Sequence, residues 1–526
     1  MSETKLQNRY AGKRLKDPAG RPTSKVDAPL TRGAAKTELL RSAPAPVALG
    51  ARSRHFARRF SGGLTPTLAT EIKAAGGGRD WFEKQLYPAR IKDARGTKID
   101  RWFPSLQQSP KQIFDGGVAW EVMADLSKWT MCRRIHSKHQ LLEQMVDFWS
   151  NLLHVPLMDD SAYFYRLSYD TMIRTYALSS FTQLLQHSTT HPAMGLFLDN
   201  AVSTKDNPNE NLGRELLELH TVGVDAGYSE KDVKASAKML TGYRVDLYWP
   251  SFRAYYDPDV HYAGHLKIMG FDTAKAGNHN AHDGRRATKA YLKYLAHHPA
   301  TARRLARRLC VKFVSDTPSA GLVNTVARAY LKHDTAIRPT LRAMVDHPEF
   351  ATSAGEKVRT PAEDYVATVR SLGIQLSRPT DDWSFANAMY WQYRELGQAP
   401  YEWPAPNGFP YDNRSWSSAG RILSSIDTHR SVTAGWWPSA DRHQAAWRSD
   451  AAWLPRLPAT VDEVIIHIGR LVLGQPPSLQ IRKGIAQVLG FTRGHHLTAE
   501  EASNNSWYLV DTIVTSLLDS PTHLHR

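Results

Sequence analysis

Residues 207–243 read NPNENLGRELLELHTVGVDAGYSEKDVKASAKMLTGY, and this stretch decides the fold prediction. Its leucines recur at helical spacing, which predicts a helix with one buried face. The same short segment carries many polar and ionisable side chains, namely Asn209, Glu210, Asn211, Arg214, Glu215, Glu218 and His220. A helix that buries leucines beside so many polar groups either pairs those groups internally or binds something.

The acidic residues of this segment could perform acid–base chemistry. On a helix, Glu215 and Glu218 are three residues apart and share a face. Two neighbouring carboxylates raise the pKa of one of them, which suits a general acid or base. We therefore predict Glu215, Glu218 and His220 as catalytic residues, with Asn209 and Arg214 binding or orienting a substrate.

The segment could also contribute to a metal site. Glu215 and Glu218 could bridge a divalent metal, and His261 and His265, spaced i and i+4, could complete its ligands. An alternative stays open, in which Arg214 and the two glutamates form a buried salt-bridge network and an asparagine caps the helix.

Composition and charge restrict the class of protein. The chain has 526 residues, of which 42% are hydrophobic, enough for a substantial globular core. The formal net charge of +16 predicts attraction to anionic polymers. No apolar run is long enough for a transmembrane helix, and no nucleic-acid-reading motif appears, so nucleic acid is not an expected partner. Two cysteines, Cys132 and Cys310, exclude a disulfide framework.

The expected organisation is one arm and one domain. Residues 1–50 hold ten basic and four acidic residues without apolar periodicity, which predicts a disordered basic arm. Its most apolar segment, APAPVALGA at 43–51, is short and interrupted by proline, so we expect a cytoplasmic protein. Residues 51–526 are predicted to form a single large helical domain. The fold class is mainly α, a large multi-helix bundle-like domain with a small β or irregular insertion around 242–285.

An aromatic loop follows at residues 396–418, LGQAPYEWPAPNGFPYDNRSWSS. Its prolines and glycines exclude a regular helix or strand. Trp403 and Trp416 could form a stacking platform for a substrate, and the alternative is that these rings pack back onto the helices.

Several motifs together resemble a known family. The motifs FWSN (148–151), NPNENLGRELLELHTVGV (207–224) and GQAPYEWPAPNGFP (397–410) are similar to those of the bacterial family named domain of unknown function 1800. The resemblance spans roughly residues 55–520. It implies a mostly helical bacterial protein, often exported and often encoded beside a sulfatase-like partner family, with no activity assigned.

The chain departs from the family pattern in two places. His261 is followed by Tyr262 where the family usually has aspartate, which weakens a metal role for that segment. The family's usual export signal is also missing.

Two functional hypotheses result from these observations. The first is a metal-assisted hydrolase acting on an anionic polymer. The second is a non-catalytic binding or scaffold protein, whose basic surface and aromatic loop hold such a polymer or a protein partner.

Overall fold

The fold is mainly helical, as the sequence predicts. The chain was analysed as a computed structural model, which describes residues 47–159, 161–247, 251–439 and 443–526. The predicted basic arm, residues 1–50, therefore lies outside the described residues except for its last four. Within the described ranges, no helix combines the length and the apolar composition needed to cross a bilayer.

The helices occur along the whole described chain. Those before the insertion are α1 (Ala51–Phe60), α2 (Pro66–Ala75), α3 (Gly78–Gln85), α4 (Ala94–Asp100), α5 (Pro110–Gly116), α6 (Ala119–His136), α7 (Gln140–Leu152), α8 (Arg166–Tyr176), α9 (Phe181–Thr189), α10 (Pro192–Phe197), α11 (Glu210–Glu215) and α12 (Glu230–Met239). The insertion itself holds α13 (Thr273–Ala276). Those after it are α14 (Gly284–His297), α15 (Pro299–Phe313), α16 (Ala320–Lys332), α17 (Ile337–Val345), α18 (Pro348–Thr352), α19 (Pro361–Leu372), α20 (Phe385–Glu395), α21 (Ala419–Ala434), α22 (Val461–Leu473), α23 (Leu479–Val488), α24 (Ala499–Asn504), α25 (Ser506–Leu518) and α26 (Pro521–Leu524).

Local capping chemistry sets where many of these helices begin. Each of the three His-Pro pairs opens a helix, with the histidine as N-cap and the proline in the first turn. His191, His298 and His347 each accept a hydrogen bond at Nδ1 from the backbone N–H two residues further on. Ser229 and Asp232 form a capping box at the start of α12.

The insertion around 242–285 is built from two short antiparallel pairs, as predicted. Strand β1 (Tyr243–Val245) pairs with β2 (Ala254–Tyr256), and β3 (Lys267–Ile268) pairs with β4 (Phe271–Asp272). Two further pairs lie outside the insertion. They join β5 (Gln375–Leu376) to β6 (Ala445–Ala446) and β7 (Ala459–Thr460) to β8 (His496–Leu497). Two-residue strands are too short to leave an alternating pattern in the sequence.

Two clusters of buried apolar side chains hold the helices together. The first is formed mainly by residues before 351 and the second mainly by residues after 361. Helix α6 contributes to both, because Val122 and Leu126 belong to the first cluster while Met131 and Ile135 belong to the second. A helix that is apolar on more than one face is a buried helix, so α6 packs between the two clusters.

Candidate functional site

Residues 207–224, the signature segment, begin with a capped helix that packs very closely on its neighbour. Asn209 is the N-cap of α11, and its side chain accepts the N–H of Asn211 at 2.9 Å. A Cβ atom on Gly213 would lie 2.7 Å from the backbone nitrogen of Ala237 in α12. The glycine in NENLGREL therefore allows α11 and α12 to approach each other backbone to backbone.

The signature helix does not continue as a regular α-helix beyond Glu215, in contrast to the prediction. Leu216–His220 forms a single π-helical turn, and the hydroxyl of Thr221 donates to the carbonyl of Leu216 at 2.6 Å. The prediction that Glu215 and Glu218 share one face assumes α-helical spacing, and the wider π-helical turn changes that spacing after Glu215. His220 is buried, whereas Glu215 and Glu218 are only partly covered.

Arg214 is the centre of an ion-pair network at the partly exposed side of this helix. Its guanidinium lies 2.7 Å from Glu230, 3.3 Å from Glu210 and 3.6 Å from Glu218. The hydroxyl of Tyr228 also donates to Glu218, at 2.6 Å. Two of the four residues that pair here, Arg214 and Glu218, were predicted as site residues, and they contact each other.

The environment of Glu215 differs from that of Glu218. Burial, followed by the negative charge of Glu218, raises the pKa of Glu215, although Arg214 opposes the shift. This is the direction expected for two neighbouring carboxylates of which one is partly desolvated.

His220 lies in a buried basic environment. Burial, and then the charges of Arg304, Arg308 and His154, lower its pKa to about 3. Neither ring nitrogen of His220 has a hydrogen-bond partner among the described residues. The charged groups that shift the pKa of His220 are therefore two arginines and a histidine, and not the glutamates of the signature segment.

The two histidines predicted as metal ligands have other partners. The ring of buried His261 lies 2.8 Å from the carbonyl of Thr241 at Nδ1 and 3.0 Å from Asn278 Oδ1 at Nε2. His265 is exposed, and its Nε2 lies 2.8 Å from Asp272. Binding a metal through His261 would require that one of its two ring contacts be broken.

Potential metal ligands gather at a different place. In the described part of the chain, Asp364, His429 and His523 are the residues whose ligand atoms all lie within 4.8 Å of one another. The ligands predicted in the signature region do not form such a group.

The aromatic loop is ordered by its own contacts. The indole N–H of Trp403 donates to Asn407 at 2.9 Å, and that of Trp416 donates to the carbonyl of Pro410 at 2.8 Å. The side-chain amide of Asn151, in the FWSN motif, donates to the carbonyl of Phe409 and accepts a hydrogen bond from the backbone N–H of the same residue. Both indole rings are partly exposed, so their role as a substrate platform stays a prediction.

A cleft of about 650 Å³ lies beside the insertion, between β1, β2, the start of α10 and the start of α14. Its lining is basic and aromatic, with the side chains of Arg244, Arg253, Arg285, Tyr243, Tyr255, Tyr256, His191 and His282. None of the described lining residues is aspartate or glutamate. The volume is typical of sites for small ligands or for one unit of a polymer.

Several polar atoms of the cleft residues are buried without a hydrogen-bond partner in the described chain. They are Thr189 Oγ1, Asn200 Oδ1, Tyr256 Oη and Arg244 Nη1. The amide nitrogen of Asn200 donates to the carbonyl of Leu240 at 3.0 Å, which leaves its oxygen as the available acceptor. Buried polar groups are nearly always satisfied by protein or by ordered water, so the walls of the cleft hold polar groups whose partners the described chain does not supply.

Sequence reasoning missed this cleft because its residues come from segments up to about one hundred positions apart. One signal was present, since Tyr243, Arg244, Arg253, Tyr255 and Tyr256 concentrate aromatic and basic side chains on one hairpin. That pattern was read only as strand propensity.

The resemblance noted in the sequence is borne out by comparison with protein families. The chain is a mainly helical protein that carries the segment NENLGRELLELHTVG at residues 209–223. It belongs to the family described as Protein of unknown function (DUF1800), whose model matches residues 55–524. No curated protein and no solved structure matches the chain.

Proposed function

We propose that this protein binds an anionic saccharide unit of a polymer in the cleft between the β1–β2 hairpin and helices α10 and α14. The observation that carries the proposal is the composition of that cleft, in which three arginines and three tyrosines converge without a described acidic residue.

The arginines define the charge of the ligand. Arg244, Arg253 and Arg285 come from β1, from the residue before β2 and from α14. A guanidinium presents paired N–H donors that match carboxylate, sulfate and phosphate oxygens. Because no described carboxylate lines the cleft to neutralise them, these groups favour an anion.

The neutral groups define the rest of the ligand. Asn200 Oδ1 can only accept a hydrogen bond, so it needs a donor such as a hydroxyl group. Burial raises the pKa of Tyr256, so its hydroxyl stays protonated and can donate. The tyrosine rings provide flat apolar surfaces that suit the face of a sugar ring. An anionic sugar combines a negative group, hydroxyl donors and an apolar ring face in one unit, so it matches all three kinds of lining group.

The cleft favours binding over hydrolysis. Cleavage of a glycosidic bond ordinarily uses two carboxyl groups beside the bond, and the described lining contains none. The predicted acid–base residue Glu218 is occupied by Arg214 and Tyr228. The binding hypothesis therefore agrees better with the geometry than the metal-assisted hydrolase does.

Titration calorimetry with three polymers tests the proposal. Polygalacturonate carries carboxylates, dextran sulfate carries sulfates, and dextran is neutral. We expect binding of at least one of the two anionic polymers and none of dextran. Replacing Arg285 by glutamine removes a charge-assisted hydrogen bond worth about 1.5–3 kcal/mol, so the dissociation constant should rise about 10- to 100-fold.

A neighbouring arginine provides the matched control. Arg286 is exposed like Arg285, but it pairs with Asp283 at 2.9 Å and does not line the cleft. R286Q removes the same net charge and should change the dissociation constant by less than about twofold. Equal weakening by R285Q and R286Q would show that binding is general charge attraction. Failure of both anionic polymers to bind would also contradict the proposal.

A further inference from the structure

Three potential metal ligands meet at a buried point far from the cleft in sequence. Asp364 lies in the first turn of α19, His429 lies in α21, and His523 lies in the C-terminal helix α26. Their exposed fractions are 2%, 1% and 3%. Three separate elements thus bring one carboxylate and two imidazoles together inside the protein.

The spacing of the ligand atoms fits a tetrahedral metal ion. Oδ1 of Asp364 lies 3.3 Å from Nε2 of His429 and 3.4 Å from Nε2 of His523. A charge-assisted N–H···O hydrogen bond is usually about 2.7–2.9 Å long, which is shorter than either distance. Tetrahedral zinc with bonds of about 2.0–2.1 Å places its ligand atoms about 3.3–3.4 Å apart.

The surrounding groups orient the ligands toward a common centre. Nδ1 of His429 lies 2.8 Å from Asp519, which leaves Nε2 facing Asp364. A carboxylate on the outer nitrogen of a histidine is the usual support for a metal-ligating imidazole. The hydroxyl of Thr368 lies 3.1 Å from Nε2 of His523, the same nitrogen that faces Asp364.

We propose that Asp364, His429 and His523 bind a divalent transition metal of the zinc class, and that the bound ion stabilises the fold. Such an ion would join α19 and α21 to the C-terminal helix α26, none of whose residues belongs to either apolar cluster. The site is independent of the cleft and of the proposed binding function.

A metal-free ion network is the competing arrangement. Burial lowers the pKa of His429, but Asp364 and Asp519 outweigh this effect and raise the pKa to about 9. Arg421 also lies 3.3 Å from Asp364. A protonated His429 between two carboxylates would then hold the same three elements together without an ion.

Metal analysis of protein made without a histidine tag separates the two arrangements. We expect about one equivalent of zinc per chain, and a visible absorption band of tetrahedral Co²⁺ when the apoprotein is titrated with cobalt. Chelation should lower the midpoint of thermal unfolding, and added Zn²⁺ should restore it, because an ion that binds only the folded state stabilises that state.

Three substitutions localise the ion. H429Q and H523Q should abolish the cobalt band. H467Q is the control and should keep the band, because His467 is a buried histidine of α22 that does not belong to the proposed site. Wild-type protein that binds neither zinc nor cobalt would overturn the proposal. A cobalt band that persists in H429Q and H523Q would overturn it as well. If those variants fail to fold, the wild-type titration alone decides.

Discussion

Substitution of Gly213 by alanine tests whether the signature segment is defined by close packing of α11 on α12. The added Cβ would lie 2.7 Å from the nitrogen and 3.0 Å from the Cα of Ala237, and 3.1 Å from the carbonyl oxygen of Val233. Non-bonded heavy atoms prefer about 3.5–4.0 Å, so the contact is too short by roughly 0.5–1 Å. All three atoms belong to the backbone and cannot rotate away, so the helices must separate.

The expected magnitude follows from two opposing effects. Overpacking costs about 1–3 kcal/mol, whereas alanine is favoured over glycine in a helix by up to about 1 kcal/mol. We therefore expect G213A to lower the free energy of unfolding by about 1–2 kcal/mol. The measurement is the urea midpoint of unfolding, compared with wild type at a common slope.

The same substitution at Gly321 should have the opposite sign. This glycine is exposed in α16, and the nearest atom to an added Cβ is Ser319 Oγ at 3.6 Å, an ordinary contact. G321A should raise the free energy of unfolding by about 0.4–1 kcal/mol. The reasoning fails if G213A is as stable as wild type, or if both variants shift the midpoint in the same direction.

Three residues, Glu143, Asp147 and Cys132, give predictions about stability and chemical reactivity. Glu143 is buried and lies 2.9 Å from both Arg133 and Arg174, which also pair with Asp100 and Asp170 respectively. E143Q should therefore remove one of the two carboxylate partners of each arginine and cost about 1.5–3 kcal/mol, measured by urea unfolding. A loss below about 1 kcal/mol would contradict this. Burial raises the pKa of Glu143 and of Asp147, but their cationic partners outweigh it and lower both values to about 2. Both groups therefore stabilise the fold above their unfolded pKa values, and the thermal midpoint should fall as the pH drops from about 4.5 toward 2, whereas a flat profile would refute the assignment. Burial raises the pKa of the Cys132 thiol to about 12, so a thiol reagent should modify it only after unfolding, and rapid labelling of folded protein would be inconsistent with that burial.

Local signals in the sequence predicted much of the helical architecture. Apolar periodicity indicated the helical class, and the His-Pro pairs at 191, 298 and 347 coincide with three helix starts, because a capping side chain and a first-turn proline act within a few residues. The insertion was also recognisable, since its aromatic and β-branched residues are interrupted by proline and glycine.

The site could be predicted only in part, because its geometry depends on contacts between distant residues. The alternative of a salt-bridge network agrees with the 3.6 Å contact between Arg214 and Glu218, although this contact is partly exposed rather than buried. The π-helical turn at Leu216–His220 was not expected, because no local residue type specifies it. The convergence of Asp364, His429 and His523 has no short motif, since these residues are 65 and 94 positions apart in sequence.

The aromatic loop and the cleft are rival binding surfaces, and the sequence alone indicated only the loop. Trp403 and Trp416 lie close together in one sequence segment, whereas the cleft assembles Arg244 from β1 with Arg285 from α14. The loop rings remain candidates for ligand contact. Where a ligand binds is therefore the decisive question for this protein.

Hydrogen–deuterium exchange with and without an oligogalacturonate or a sulfated dextran oligosaccharide answers that question most directly. The cleft proposal predicts that the ligand slows exchange of backbone amides in Tyr243–Val245 and Ala254–Tyr256 and at the start of α10, and leaves residues 403–416 unchanged. Protection confined to residues 403–416, or no protection by either oligosaccharide, would contradict the proposal that the cleft holds the anionic sugar.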